Sequence, residues 1–300
     1  MASLAVRDLL HGPHQSGKLL AVIQGTIIAE FPGARHEPRV IAISAPDAVR
    51  LPNAVIASIP AGTVTTTAAS AAFHPDATKD TKTTKAIQPA SIVTTGGGAI
   101  RVDGLIVQAR RWWDPSPVFG PLSRERLDRG AAVLSQACRQ AVPGPALADH
   151  DGPRILAARC AAGDLAGAVD QAERLVGLGA GIVPGGDGVL CGLLLALRLL
   201  GGAIAGGTRA VWLADWLSAA VTGYASERTT PLAASLLYCA SRGQAPAEVA
   251  AVLHGVAGED PVEPAARRLL TARTAAALGT ADLAWGLVAG CRAAQALSVS

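Results

Sequence analysis

Aromatic residues are scarce in this sequence, which has five Trp, two Tyr and three Phe among 300 residues. Half of the residues are hydrophobic, and Ala, Leu and Val supply most of them, so the predicted core is aliphatic. Proteins that bind single-stranded nucleic acid usually combine a basic groove with stacking aromatic side chains. Neither pattern is visible here and the net charge is only +3, so we expect no nucleic-acid partner.

Cysteine is also scarce, and its five residues are far apart, without any CxxC pair. Such scattered cysteines in apolar, helix-like surroundings indicate reduced, buried thiols in a cytoplasmic protein rather than disulfides or a zinc site. His11 with His14, and Asp149 to Asp151, lie in loop-like sequence at spacings that are not typical of metal ligands. The sequence therefore predicts no metal and no cofactor.

Long hydrophobic runs are absent as well. The longest, Val189 to Leu197, is followed by Arg198 and is too short to span a bilayer. The first residues lack the basic and apolar regions of a signal peptide. We therefore expect a soluble protein without a membrane partner.

The first part of the chain has the pattern of a β-sheet. Short runs rich in Val, Ile and Thr are separated by Gly, Pro and Asn, and no helical period of useful length lies between them. This predicts an antiparallel sheet or barrel-like domain over residues 1–117, with the polar segment 78–85 as a mobile loop. The predicted strands are 19–23, 26–30, 40–44, 53–58, 92–95, 99–102 and 105–109.

The second part changes to Ala, Leu and Arg at helical spacing, after two prolines at Pro115 and Pro117. We therefore predict an α-helical domain over residues 118–300, and an α+β fold class for the chain. The predicted helices are 122–140, 153–162, 164–178, 187–200, 208–223, 231–242, 246–255, 262–276 and 281–297.

A glycine-rich stretch within this half, residues 177–188, runs directly into an apolar helix. Clustered glycines are costly to order and are typical of places where the backbone needs positive φ or a close approach. A glycine-rich turn before a helix can also present free N–H groups to an anion. Asp187 is then either a simple helix cap or a functional carboxylate. The candidate anion-binding glycines are Gly179, Gly181, Gly185 and Gly186.

Two further stretches have similar chemistry. Thr230 before Pro231 is a strong helix start, and we expect Ser226, Arg228 and Thr229 beside it at the positive end of that helix. Alternatively, Thr230 only caps the helix and Arg228 is solvated or paired with Glu227. Thr280 and Asp282 follow Gly279 in a third helix start, which alone would indicate an ordinary capped helix. If the three starts converge, they form a pocket for a small anionic substrate.

These stretches resemble the AllH-type subunit of oxamate carbamoyltransferase. Residues 181–194 are similar to the family signature G-L-T-P-S-G-D-D-F-L-x-G-L-L, residues 228–230 to its R-T-T segment, and residues 279–286 to its closing G-x-S-G-x-D-x-x-x-G. Residues 51–55 and 113–115 resemble its N-terminal landmarks. Val183, Gly185 and Gly188 replace a threonine, a serine and an acid of the signature, and the closing motif is shortened and lacks its serine.

The resemblance implies phosphorolysis of a small carbamoylated acid, such as oxalurate, to carbamoyl phosphate, together with companion subunits. On this interpretation the glycine-rich amides hold an anion, Arg228 binds a carboxylate or phosphate, and Asp187 orients an amide or relays a proton. Two alternatives stay open, because polar side chains are missing from the signature. The chain is then a non-catalytic metabolite-binding or scaffold subunit, or a diverged enzyme that hydrolyses or cyclises a related amide. Whether it forms a homo-oligomer is also open.

Overall fold

The computed structural model describes residues 1–34, 37–58, 92–102, 105–142 and 144–298. The expected loop at 78–85 lies outside these residues. The described chain divides into two compact units, Met1–Asp114 and Pro115–Ser300. The first is built on a sheet and the second on helices, so the predicted α+β class is confirmed. The domain boundary after residue 117 stays a prediction, because compactness alone does not show where independent folding would begin.

The first unit contains a nine-stranded sheet in the order β8-β7-β6-β2-β3-β4-β5-β1-β9. All neighbouring pairs are antiparallel except β4 with β5 and β1 with β9, which are parallel. The strands are β1 (Ala2–Ser3), β2 (Gln15–Ile23), β3 (Thr26–Glu30), β4 (Val40–Ser44), β5 (Ala54–Ile56), β6 (Ile92–Gly96), β7 (Ala99–Val102), β8 (Leu105–Gln108) and β9 (Trp112–Trp113).

The core of this unit lies against the sheet, where alternating Val and Ile side chains meet Phe31 and the short helix α1 (Arg7–His11). Phe31, Ile41 and Ile43 are fully buried. The antiparallel part of the sheet follows from short connections such as Gly97-Gly98, a two-residue hairpin whose positive φ angles suit glycine. The two parallel pairs differ from the expected antiparallel pattern because longer connections lead into them, and local sequence does not encode their direction.

The second unit consists of nine α-helices within its described residues, at or near the positions that the periodicity predicts. They are α2 (Arg124–Gln140), α3 (Asp151–Ala162), α4 (Leu165–Leu175), α5 (Gly185–Ala203), α6 (Thr208–Arg228), α7 (Pro231–Ser241), α8 (Ala247–Val256), α9 (Val262–Thr271) and α10 (Thr280–Leu297). A short 3-10 turn, Ala276–Leu278, precedes α10.

Helix α5 is the centre of this unit, and most of its residues are buried. It is the one described helix that is long and apolar enough to cross a membrane, and 78% of its apolar stretch is buried within the fold. A buried core helix of a soluble protein can have the same length and composition, so these two properties are weak evidence for a membrane span. All five cysteines are buried, as the sequence predicts, and none of them forms a disulfide in the described part of the chain.

Glycines allow α5 and α10 to pack at very short distance. A Cβ atom at Gly192 would lie 2.1 Å from the carbonyl oxygen of Leu283, and one at Gly286 would lie 2.1 Å from that of Val189. Further along, Gly290 packs on Leu193 and Ala196 in the same way. Residue numbers rise together along the two helices, so α5 and α10 are parallel and their N-termini lie at the same end.

Candidate functional site

Three helix N-termini lie close together at this end of the second unit. Gly188, in the first turn of α5, packs against the carbonyl oxygen of Gly279 at the start of α10. The hydroxyl of Thr230, which precedes α7, donates a 2.6 Å hydrogen bond to the carbonyl oxygen of Ile182. The same hydroxyl accepts from the N–H of Ala233 and so caps α7. The segment before α5 therefore contacts the beginnings of both other helices.

The glycine-rich segment between α4 and α5 forms a tight loop. Gly177, Gly179 and Gly181 have φ angles of 74°, 104° and 112°, which β-carbon-bearing residues rarely adopt. Gly179 and Gly181 lie at its exposed tip, whereas Gly185 and Gly186 are buried in the first turn of α5. The loop is closed by a hydrogen bond from the N–H of Gly186 to the carbonyl oxygen of Leu178.

Asp187 lies inside this arrangement, with no exposed surface. One carboxylate oxygen accepts a 3.0 Å hydrogen bond from the N–H of Gly177, and the other accepts one from the hydroxyl of Thr229. Burial raises the pKa of Asp187 to about 6, although these two hydrogen bonds act in the opposite direction. Asp187 does not cap its own helix, since Pro184 occupies the N-cap position, and instead joins the loop to the α6–α7 junction.

Asp282 has an equivalent position in the first turn of α10 and is also buried. Its two carboxylate oxygens accept hydrogen bonds from the N–H groups of Ala146, at 2.9 Å, and Leu147, at 3.1 Å. The carboxyl carbon of Asp282 would lie 3.2 Å from a Cβ at Gly185, so a larger residue at Gly185 would collide with it. Asp282 thus attaches the segment before α3 to the meeting point of α5 and α10.

Two parallel helices with adjacent N-termini bring two positive dipole ends together, which is unfavourable unless negative charge lies nearby. The side chains of Asp187 and Asp282 supply that charge from the first turns of α5 and α10. Within the described part of the chain, the N–H groups of Gly185, Leu232 and Ala281 donate no hydrogen bond to a backbone carbonyl outside their own helices. Each belongs to the first turn of one of the three helices, where free donors are normal.

Arg228 and Ser226 are exposed and belong to the last turn of α6, which the sequence did not predict to extend so far. Arg228 is two residues before Thr230, the N-cap of α7. A guanidinium in the last turn of a helix is favoured by the negative end of the dipole. The carbonyl oxygen of Arg228 would be 2.0 Å from a Cβ at Gly177, so its backbone lies against the glycine-rich loop. Thr229 is buried, and Thr230 is the N-cap that the sequence predicts.

The remaining candidate, Thr280, is the first residue of α10 and is buried. Sequence reasoning missed Gly177 as a donor to Asp187, and it missed Leu147, whose side chain packs against Gly185. No local signal marks Leu147, because its contacts come from distant parts of the chain. Over the described ranges, no group of three or more His, Cys, Asp or Glu side chains is arranged to bind a metal.

Comparison with known proteins gives one family match. A family profile described as "Oxamate carbamoyltransferase subunit AllH" matches residues 175–291. No curated protein and no solved structure matches the chain significantly. The matched region begins at the end of α4 and includes Asp187, Arg228 and Asp282 with all three helix N-termini. The resemblance to the AllH family, first indicated by the glycine-rich, R-T-T and closing motifs, is therefore confirmed over residues 175–291.

Proposed function

We propose that this chain is a subunit of an oxamate carbamoyltransferase-type enzyme and that it binds a small carboxylate or phosphate at the three helix N-termini. One observation carries the proposal. Within the segment that matches the family, α5, α7 and α10 begin beside one glycine-rich loop. Helix N-termini favour anions through their dipoles and their free N–H groups.

The proposed anion donors are the backbone N–H groups of the exposed loop tip, Gly179 to Gly181, and of Gly185. The loop has small side chains where a ligand would approach, so backbone amides are accessible there. Gly179 and Gly181 are exposed, which supports this assignment for the loop tip, whereas Gly185 is buried directly behind it. Thr280 would contribute to the same site from the beginning of α10.

Carbamoyl transfer from an oxalurate-like acid to phosphate yields an oxamate-like acid and carbamoyl phosphate, without an organic cofactor. The reaction needs anchors for two anions and hydrogen-bond donors at the developing oxyanion. We propose Arg228 as an anchor, since its exposed guanidinium is free to bind a carboxylate or phosphate beside the loop. A pKa of about 6 would suit Asp187 for proton transfer near neutral pH.

A second candidate is a non-catalytic subunit that binds the metabolite or holds the enzyme together. It is favoured by the burial of Asp187, whose two oxygens already accept hydrogen bonds from Gly177 and Thr229. A carboxylate in this state stabilises the loop and is not exposed to substrate. The term "subunit" in the family description also fits either role. Cytoplasmic localisation and companion subunits remain part of the proposal.

Isothermal titration with phosphate, oxamate and carbamoyl phosphate tests anion binding. We expect Arg228→Ala to weaken binding about tenfold, as loss of one charge-assisted hydrogen-bonded contact would. The control is Arg267→Ala, which removes another exposed arginine, one that is paired with Glu263 on α9. Absence of binding by the wild-type chain, or equal effects of the two variants, would refute the site.

Turnover distinguishes the two candidate roles. The purified chain is incubated with oxalurate and phosphate, alone and with proteins that co-purify from the native host. Carbamoyl phosphate production by the chain alone supports the catalytic role. Production only with the companions, together with anion binding by the chain, supports the non-catalytic role.

A further inference from the structure

The outer face of α6 carries an unusual concentration of exposed aromatic residues. Trp212 is 61% exposed, Trp216 50% and Tyr224 56%, in a chain with only five Trp and two Tyr. The two indoles contact each other edge to face, with ring centroids 6.3 Å apart. Large aromatic side chains dominate the energetics of protein interfaces and are costly to leave in water.

Toward the C-terminal end of α6, the residues on this face have small side chains. Ala219 and Gly223 are exposed there, and Ala220 is half-buried. A Cβ at Gly223 would have no heavy atom of the protein within 4 Å, so packing inside this chain does not require a glycine. A glycine within a helix costs about 1 kcal/mol relative to alanine. Packing within the described chain therefore does not explain the glycine at this position.

We infer that α6 packs against α6 of a second copy, antiparallel and about a two-fold axis near Ser218. In this arrangement a residue before Ser218 faces the second copy at about the same distance after Ser218. The mirrored positions are 224 for Trp212 and 220 for Trp216. Gly223 is one residue before 224 and lies on nearly the same side of the helix as Trp212, since the two are 11 residues apart. Trp212 therefore lies over Gly223 of the second copy, and Trp216 lies over Ala220. Large residues of each copy thus fill the space left by small residues of the other, as an isologous interface requires.

Charge complementarity supports the antiparallel direction. Arg209 and Glu227 lie on the same face at the two ends of α6, equally far from Ser218, and both are exposed. Neither takes part in a salt bridge within the described residues. An antiparallel pair places each Arg209 opposite Glu227 of the other copy, whereas a parallel pair would place like charges together.

The available area is that of a weak dimer. Aromatic side chains of this size bury about 150–250 Å² when fully covered, so three half-exposed rings per copy supply roughly 600 Å² for two copies. A specific interface needs about 1,000 Å², and the flanking Ala, Arg and Glu side chains supply the remainder. We therefore expect dissociation constants in the micromolar range.

Sedimentation velocity of the full chain over a range of concentrations tests the inference. We expect a monomer–dimer equilibrium that Trp216→Glu weakens at least about tenfold, because it removes a central aromatic residue. Gly223→Leu should also weaken it, because its side chain occupies the space of Trp212. Val118→Glu is the control, since Val118 is 85% exposed in the same unit but lies outside α6.

Reversing the charges of Arg209 and Glu227 tests whether α6 packs antiparallel against α6 of a second copy. Arg209→Glu and Glu227→Arg should each weaken the dimer, and the double variant should restore it to within about threefold of wild type. A chain that remains monomeric at all concentrations overturns the inference. A dimer that is insensitive to Trp216→Glu and Gly223→Leu also overturns it, as does failure of the double variant to restore association. Melting temperatures at a concentration where the chain is monomeric verify that each variant is folded.

Discussion

The hydroxyl of Thr229 donates a hydrogen bond to the carboxylate of Asp187, although 42 residues separate them in the chain. This contact connects the first turn of α5 to the junction between α6 and α7. The second oxygen of Asp187 accepts from Gly177, so one buried carboxylate holds three segments together. Stability and the candidate site therefore depend on the same residues.

The first prediction concerns the pH dependence of stability. Burial raises the pKa of Asp187 from 3.8 to about 6. Between about pH 4 and 6, the folded protein retains a proton that the unfolded chain has released. The contribution of Asp187 to the free energy of unfolding therefore falls as pH rises through this window, by on the order of 3 kcal/mol, and levels off above it.

Asp187→Asn checks this, since an amide can still accept from Gly177 and pair with Thr229 but does not titrate. Urea unfolding of both proteins at pH 4.5 to 7.5 measures the difference. We expect the wild type to lose stability relative to the variant as pH rises. If the unfolding free energies of the two proteins changed with pH in the same way, the raised pKa of Asp187 would be contradicted.

The second prediction tests whether the hydroxyl of Thr229, rather than the volume of its side chain, stabilises the fold. Thr229→Val keeps the volume but leaves one oxygen of the buried Asp187 without its donor. We expect it to lower the free energy of unfolding at pH 7 by about 2 kcal/mol, because hydrogen bonds to charged groups contribute about 1.5–3 kcal/mol. Thr229→Ser, which retains the hydroxyl, should cost clearly less in the same denaturation assay. Equal losses would show that the hydrogen bond is not the cause.

The third prediction concerns the contact between α5 and α10. Gly192→Ala and Gly286→Ala each place a methyl group about 2.1 Å from a backbone carbonyl oxygen of the opposite helix. The helices must separate, and we expect a loss of about 2–4 kcal/mol in unfolding free energy. Gly202→Ala on α5 is the control, because its Cβ would meet only a side-chain atom of Val211 at 3.9 Å. A similar loss in the control would contradict the role of close packing.

The fourth prediction concerns Asp282. Asp282→Ala removes the acceptor for the N–H groups of Ala146 and Leu147. Their amide hydrogens should exchange at least about tenfold faster, corresponding to a loss of about 1.4 kcal/mol in local protection. Hydrogen exchange with mass spectrometry measures this, and a peptide from α8 serves as the internal reference. Unchanged exchange at residues 146–147 would show that other contacts hold the segment.

Local sequence was sufficient to predict most of the helices and strands of this protein. All nine predicted helices of the second half are present, because the 3.6-residue period of Ala and Leu persists over whole helices. The strands of the first half also match, apart from β1 and β9, which have only two residues each and therefore too short a pattern. Thr230 could be predicted as the N-cap of α7 from local sequence, because its hydroxyl can accept a hydrogen bond from the first turn and the next residue, Pro231, suits the first helical position.

Tertiary structure decided the rest. The sequence could mark Asp187 as a cap or a functional acid, but only the fold shows that Gly177 and Thr229 enclose it. Arg228 was expected at the start of α7, yet α6 continues through it and leaves its side chain exposed. The parallel packing of α5 on α10, which brings the helix N-termini together, depends on backbone approach at Gly192 and Gly286. Such contacts join residues far apart in the chain, and local periodicity carries no information about them.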